Sequence, residues 1–182
     1  TMPNHLIQGA LLILLGEALL AVMGALIKHL SQELPTELIV FYRNLFGLLL
    51  LLPIIFKSGF SQLKTQQLPM HILRASLGLT AMYGFFFVLG NMPLAEAFLV
   101  KLTTPFFMPI VAALWLGESI RRKNLAAIII GFIGVIFILR PGTDSFEPIA
   151  IIGLGAAALA GSAKVCIRKM GGTENSVTIV FY

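Results

Sequence analysis

The tetrapeptide IVFY occurs twice, at Ile39–Tyr42 and again at Ile179–Tyr182. Sliding the chain by the offset between the two copies also lays AVMGALIKHL (21–30) over GSAKVCIRKM (161–170), with Ile27 on Ile167, Lys28 on Arg168 and His29 on Lys169. Apolar helices resemble one another by composition, so the meaning of the recurrence depends on what lies between the copies.

Six apolar stretches are long enough to cross roughly 30 Å of hydrocarbon as helices. They run approximately over 6–27, 37–56, 72–90, 94–116, 124–139 and 147–167, and a seventh begins near Ser176. Hydrophobic residues make up 58% of the chain, charged residues 12%, and mean hydropathy is +0.94, which argues against a water-soluble domain. The expected fold class is an all-α polytopic membrane protein embedded in a lipid bilayer. The first stretch is too long, and lacks the basic leader and small-residue cleavage site, to be a removable signal peptide.

Basic residues orient the spans. Lys57, Lys64, Arg74, Arg121, Arg122, Lys123, Lys164, Arg168 and Lys169 lie by the even-numbered connections, whereas only Lys28 and Arg140 lie by the odd ones. The bias places the even-numbered connections and the amino terminus in the cytoplasm. Five spans separate the IVFY copies, and an odd number turns the second unit upside down, as in the inverted repeats of secondary transporters. The expected organisation is a five-helix repeat over 6–140 and the start of an inverted second repeat over 147–182, cut short at Tyr182 in a fragment of a longer chain.

PTELIVFYRNLFGLLLLLP (35–53), with an arginine early in span two, and ALWLGESIRRKNLAAIIIGFIGVIFILRPG (113–142), with Glu118 closing span four, resemble the drug/metabolite transporter superfamily, in particular its EamA-like family. The resemblance covers nearly the whole chain and identifies a superfamily, not a substrate. It implies a bacterial inner-membrane protein of ten helices in two inverted five-helix repeats around a central substrate cavity. The chain departs from that pattern by lacking roughly the last three and a half helices.

Charges inside spans are the candidate site. Glu17, Arg43 and Lys101 would together cost about 8 to 10 kcal/mol if turned to lipid, so protein or water is expected around them. Ala10, Ala21, Gly24 and Lys28 fall near the helical face of Glu17. At 1.5 Å per residue Arg43 and Lys101 lie roughly 10 to 12 Å deep. Three readings stay open: a fixed network neutralised by Glu17, an anionic or carboxylate-bearing substrate received by Arg43 and Lys101, and proton coupling through Glu17.

Lys101 shares a face with Thr104 and Pro105, and Pro105 with Pro109 can kink span four where cavity water or neighbours satisfy the freed carbonyls. Asn44 and Tyr83 are further cavity candidates, whereas Tyr42 and Trp115 suit the interface. Glu96 is expected to be solvated; Glu118, Arg121 and Arg122 read as interfacial anchors with local ion pairs. Small residues at Ser76, Thr80 and Gly84, and at Gly153, Ala157 and Gly161, predict close helix packing.

Other classes find little support. The single cysteine, Cys166, and the dispersed His5, His29 and His71 form no disulfide or metal pattern, and no cofactor is expected. The net charge of +5 is spread between spans, which argues against nucleic acid. Gly153, Gly155 and Ala158 imitate a dinucleotide fingerprint but continue as one apolar helix. Ser162 and Lys164 point in different directions on a helix, Asp144 lies in a connection, and HExxH and Walker A patterns are absent, so no enzyme is expected.

The sequence reading is a secondary transporter of small organic metabolites, amino-acid-like or otherwise anionic or zwitterionic, working by alternating access with a proton or exchange solute as coupling partner. The alternative is a membrane scaffold or assembly subunit. Substrate identity, direction, coupling ion and oligomeric state are not written in the residues.

Overall fold

The computed structural model describes residues 2–58, 65–142, 147–174 and 176–181. Lys64, Asp144 and Tyr182 lie outside them, as does the side chain of His5. The described residues are all helical or connecting: α1 (Met2–Leu30), α2 (Thr36–Ser58), α3 (Leu68–Asn91), α4 (Leu94–Lys101), α5 (Thr104–Leu116), α6 (Arg122–Leu139), α7 (Ile149–Met170) and α8 (Ser176–Phe181). With α4 and α5 counted as one crossing, six helices are long and apolar enough to span a membrane. They match the six stretches expected from the sequence.

Prolines punctuate these helices. Pro35 precedes α2 and its carbonyl accepts from the amides of Leu38 and Ile39. Pro69 falls in the first turn of α3, where a missing N–H costs nothing. Met92 leaves that helix extended and Pro93 caps α4, so consecutive spans are joined by a two-residue turn.

The fourth span runs as two helical segments, α4 and α5, separated at Leu102–Thr103, where both residues keep right-handed helical dihedrals. Pro105 has no N–H to offer the carbonyl of Lys101, four residues earlier. The Thr104 hydroxyl donates to that carbonyl instead, at 2.7 Å, and the Thr103 hydroxyl donates to the Val100 carbonyl at 2.6 Å. The helix is interrupted at Leu102–Thr103, two to three residues ahead of Pro105, while Pro109 is accommodated inside α5.

α7 is the spine of the bundle. Its Gly153, Ala157 and Gly161 are all buried, as the small-residue spacing predicts. A Cβ on Gly153 would come within 2.7 Å of a Val100 methyl of α4, and one on Gly161 within 3.2 Å of the Thr104 carbonyl oxygen. The companion stripe on α3 behaves differently: Gly84 packs on Ala156 of α7, but Ser76 and Thr80 are exposed. Two positions of that stripe thus face away from the helix that the third one meets.

Lys28 ties α1 to α3. Its ammonium donates to the carbonyls of Leu89 and Met92, at 3.2 and 2.7 Å, capping the end of α3 where free carbonyls concentrate negative charge. Hydrogen bonds from a charged donor contribute about 1.5 to 3 kcal/mol. Lys28→Met should lose a comparable amount in unfolding titrations in mixed micelles, and unchanged stability would mean that the cap holds nothing.

Two helix exits are built alike. α1 ends at Leu30 and α7 at Met170; α2 begins at Thr36 and α8 at Ser176. The amide of Ser31 donates to Ile27 at 2.8 Å, as Gly171 does to Ile167 at 2.8 Å; Leu34 donates to Leu30 at 2.8 Å, as Glu174 does to Met170 at 2.9 Å. Every partner in the second set stands at the IVFY offset from its counterpart in the first.

Candidate functional site

Three of the residues singled out from the sequence come together at the break in span four. Lys101 closes α4 and is half-buried, with its ammonium 5.3 Å from the centre of the Phe98 ring and 5.6 Å from that of Phe85. The two rings meet edge to face, 5.8 Å apart. Each ring presents a negative π face, so together they hold a cation that, among the described residues, pairs with no carboxylate. Thr104 is buried and bound to the Lys101 carbonyl; Pro105, next in the chain, is exposed.

Glu17 lies on α1, which meets this cluster at Gly24. Gly24 of α1 seats the Phe98 ring, and Glu17, seven residues before it, falls on almost the same helical face roughly 10 Å further along. Glu17 is exposed. Arg43 and Asn44 are exposed on α2, and the Asn44 amide donates to the Val40 carbonyl of its own helix at 2.8 Å. Among the described residues, Glu17, Arg43 and Lys101 form no ion pair with one another.

Tyr83 belongs to a separate cluster. Its hydroxyl donates to Glu37 Oε1 at 2.7 Å, linking α3 to the first turn of α2. Glu37 escaped the sequence reading because an acidic residue at the start of a span marks a boundary equally well. Phe85 and Phe98 escaped it because nothing distinguishes them from the other apolar positions of a chain with 14 phenylalanines.

A further group of charges gathers at the far end of α5. Glu118 pairs with Arg168 of α7 at 2.9 Å, not with its sequence neighbours Arg121 or Arg122, and Lys169 stands 5.0 Å over the Trp115 ring. A cavity of about 620 Å³ opens beside this bridge, lined by Pro109, Glu118, Arg121, Asn124 and Arg168 among others. Arg168 and Glu118 are 59% and 42% exposed, so water screens the pair and it contributes at most about 1 kcal/mol. Glu118→Gln should change stability by less than that in the same micellar titration. Near the start of α3, buried His71 lies 3.7 Å from Glu174, whose other oxygen accepts from Thr65 at 2.7 Å.

Comparisons with known proteins agree with this architecture. The model of the EamA-like transporter family matches residues 7–140. The pseudopaline exporter CntI of Pseudomonas aeruginosa is 33% identical over 96% of this chain, and the chain covers 62% of it. A riboflavin transporter of Vibrio cholerae is 27% identical over the whole chain, which covers 62% of that protein. An S-adenosylmethionine uptake transporter of Rickettsia felis is 30% identical over 85% of the chain, with 53% of its own length covered. The chain thus spans between half and two thirds of the length of these curated relatives. No solved structure matches it.

Proposed function

The chain belongs to the EamA-like transporter family and is a multi-pass membrane protein; from that premise we propose that it forms part of a secondary transporter moving small organic metabolites by alternating access. The observation that carries this reading is the broken fourth span with Lys101 at the break. Discontinuous helices are the places where transporters expose backbone and charge to a solute, and an intramembrane cation is costly unless it is used. The Phe85 and Phe98 faces hold the ammonium without neutralising it, which leaves it able to receive a carboxylate.

On this reading the solute is anionic or zwitterionic and amino-acid-like. Glu17, Arg43, Asn44, Tyr83 and Thr104 belong to its pathway, Pro105 and Pro109 to the moving segment, and Glu17 is available to a coupling proton. The names of the relatives include both an exporter and an uptake transporter, so direction is a property to be measured. The matched helix exits support 6–140 as one repeat and 147–182 as the start of an inverted second. The basic connections favour an inner membrane with the amino terminus in the cytoplasm.

Proteoliposomes loaded with a bacterial metabolite extract test the proposal. Mass spectrometry of the released solutes, with and without a proton gradient, should find anionic or zwitterionic metabolites leaving faster than from protein-free vesicles and without ATP. Release no faster than from protein-free vesicles, or release that requires ATP, would overturn it.

A further inference from the structure

The exposed side of α3 sets the polar residues Ser76, Thr80 and Tyr83 among apolar Ile72, Leu73 and Leu79, and α2 reaches it at Tyr83 through Glu37. Ser76, Thr80 and Tyr83 follow the i, i+4, i+7 spacing of one helical face, and all three are exposed. The adjoining Gly84 and Phe85 meet α7 and α4 instead. Open faces elsewhere differ in kind: α1 turns out Leu12, Leu15 and Leu19, and α6 turns out Ile130, Ile133 and Phe137, surfaces suited to lipid.

At one end of this polar face stands the Glu37 carboxylate. Its Oε1 accepts from the Tyr83 hydroxyl, and among the described residues no cation lies within ion-pair distance of it. A carboxylate has about four lone-pair sites; the Tyr83 phenol and the Glu37 backbone amide engage two of them, which leaves others for a ligand. The Tyr83 ring beside it offers a π face to a positive charge. An anionic acceptor, an aromatic face and no resident cation together describe a receptor for an organic cation.

We infer that Glu37 and Tyr83 form a recognition site for a primary ammonium group of the transported solute. The ammonium donates to a remaining lone pair of the Glu37 carboxylate and lies against the Tyr83 ring. This deepens the transporter reading on which it rests, adding a negative pole to the positive one at Lys101. Tyr83 and Phe85 are two positions apart on α3, about 200° around the helix. The two poles therefore lie on opposite sides of α3 and are not opposite walls of one small pocket.

An acidic residue in a first turn also complements the helix dipole, and the test separates that role from recognition. Equilibrium binding of tritiated phenethylamine and of its carboxylate counterpart, phenylacetate, is measured on the chain in lipid nanodiscs. Phenethylammonium should bind saturably, with affinity lowered about tenfold by Glu37→Gln and a few-fold by Tyr83→Phe, as expected for one charge-assisted contact. Phenylacetate binding should not respond to Glu37→Gln. Gln at 37 still accepts from Tyr83, so the helix contact is retained, and Glu96→Gln in the first turn of α4 is the control.

The site is overturned by the absence of saturable phenethylammonium binding, by an affinity unchanged in Glu37→Gln, or by an equal loss in Glu96→Gln. A protein that transports solutes but binds phenethylammonium without regard to Glu37 loses this site and keeps the transporter reading. Glu37-dependent binding without flux does the reverse.

Discussion

Gly153→Leu should leave little folded protein. The helix carrying Gly153 is the spine of the bundle, and a Cβ there would stand 2.7 Å from one Val100 methyl and 3.5 Å from a Val88 methyl. Valine is stiff about χ1, so neither neighbour can swing aside as a longer chain would. Overpacking a tight contact by a few carbons costs about 1 to 3 kcal/mol. Here α7 would have to leave both α3 and α4, which puts the expected loss at the top of that range or above. Size-exclusion chromatography of the detergent-solubilised variant should show aggregate in place of a monodisperse peak. Gly155→Leu is the matched control, because a Cβ at Gly155 meets nothing within 4 Å. Equal behaviour of the two variants would mean that α7 is not seated as described.

The second large effect is functional. Lys101→Met should lower the initial rate of solute release from proteoliposomes about 100-fold while leaving the protein folded. Methionine has similar length and makes favourable contacts with aromatic rings, so it can occupy the place between Phe85 and Phe98. What it removes is the charge, and a charge-assisted contact of up to about 3 kcal/mol made in the transport barrier corresponds to roughly that factor. Lys101→Arg keeps the charge in a planar form that also stacks on rings, so it should keep part of the rate. A folded Lys101→Met protein with normal flux would show that solute does not pass the break in span four.

The legible parts of this molecule are those in which local chemistry leaves no choice. An apolar stretch of about 20 residues must satisfy its backbone internally, and a helix is the way one segment can do so. The spans followed from that, as did the tight approach at Gly153, Ala157 and Gly161. The prolines gave notice of a disturbance in span four, but its position follows from which carbonyl Pro105 cannot serve and which hydroxyls take its place. The stripe at Ser76, Thr80 and Gly84 shows the reverse. Small residues at helical spacing fit a packed seam and an open polar face equally well, and here Gly84 packs while Ser76 and Thr80 do not.

The candidate site divides along the same line. Glu17, Arg43 and Lys101 were conspicuous because charge is rare in apolar helices, and rarity is visible in a sequence. Their partners were not. Lys101 is held by Phe85 and Phe98, which are ordinary apolar residues until α3 and α4 bring the rings beneath the ammonium. Glu37 became notable once α2 and α3 placed it against Tyr83. Lys28 read as a marker of one side of the membrane, whereas the fold makes it the cap of α3.

The sequence by itself determined an all-helical chain with six membrane-length helices, and the charges in them that demand an explanation. Backbone satisfaction and the cost of buried charge act on each segment alone, so they can be read segment by segment. Tertiary structure alone decided which carbonyls, rings and carboxylates those charges meet, because such contacts join residues far apart in the chain, 64 positions for Lys28 and Met92, and depend on how the helices are rotated against one another, which no single segment's composition specifies.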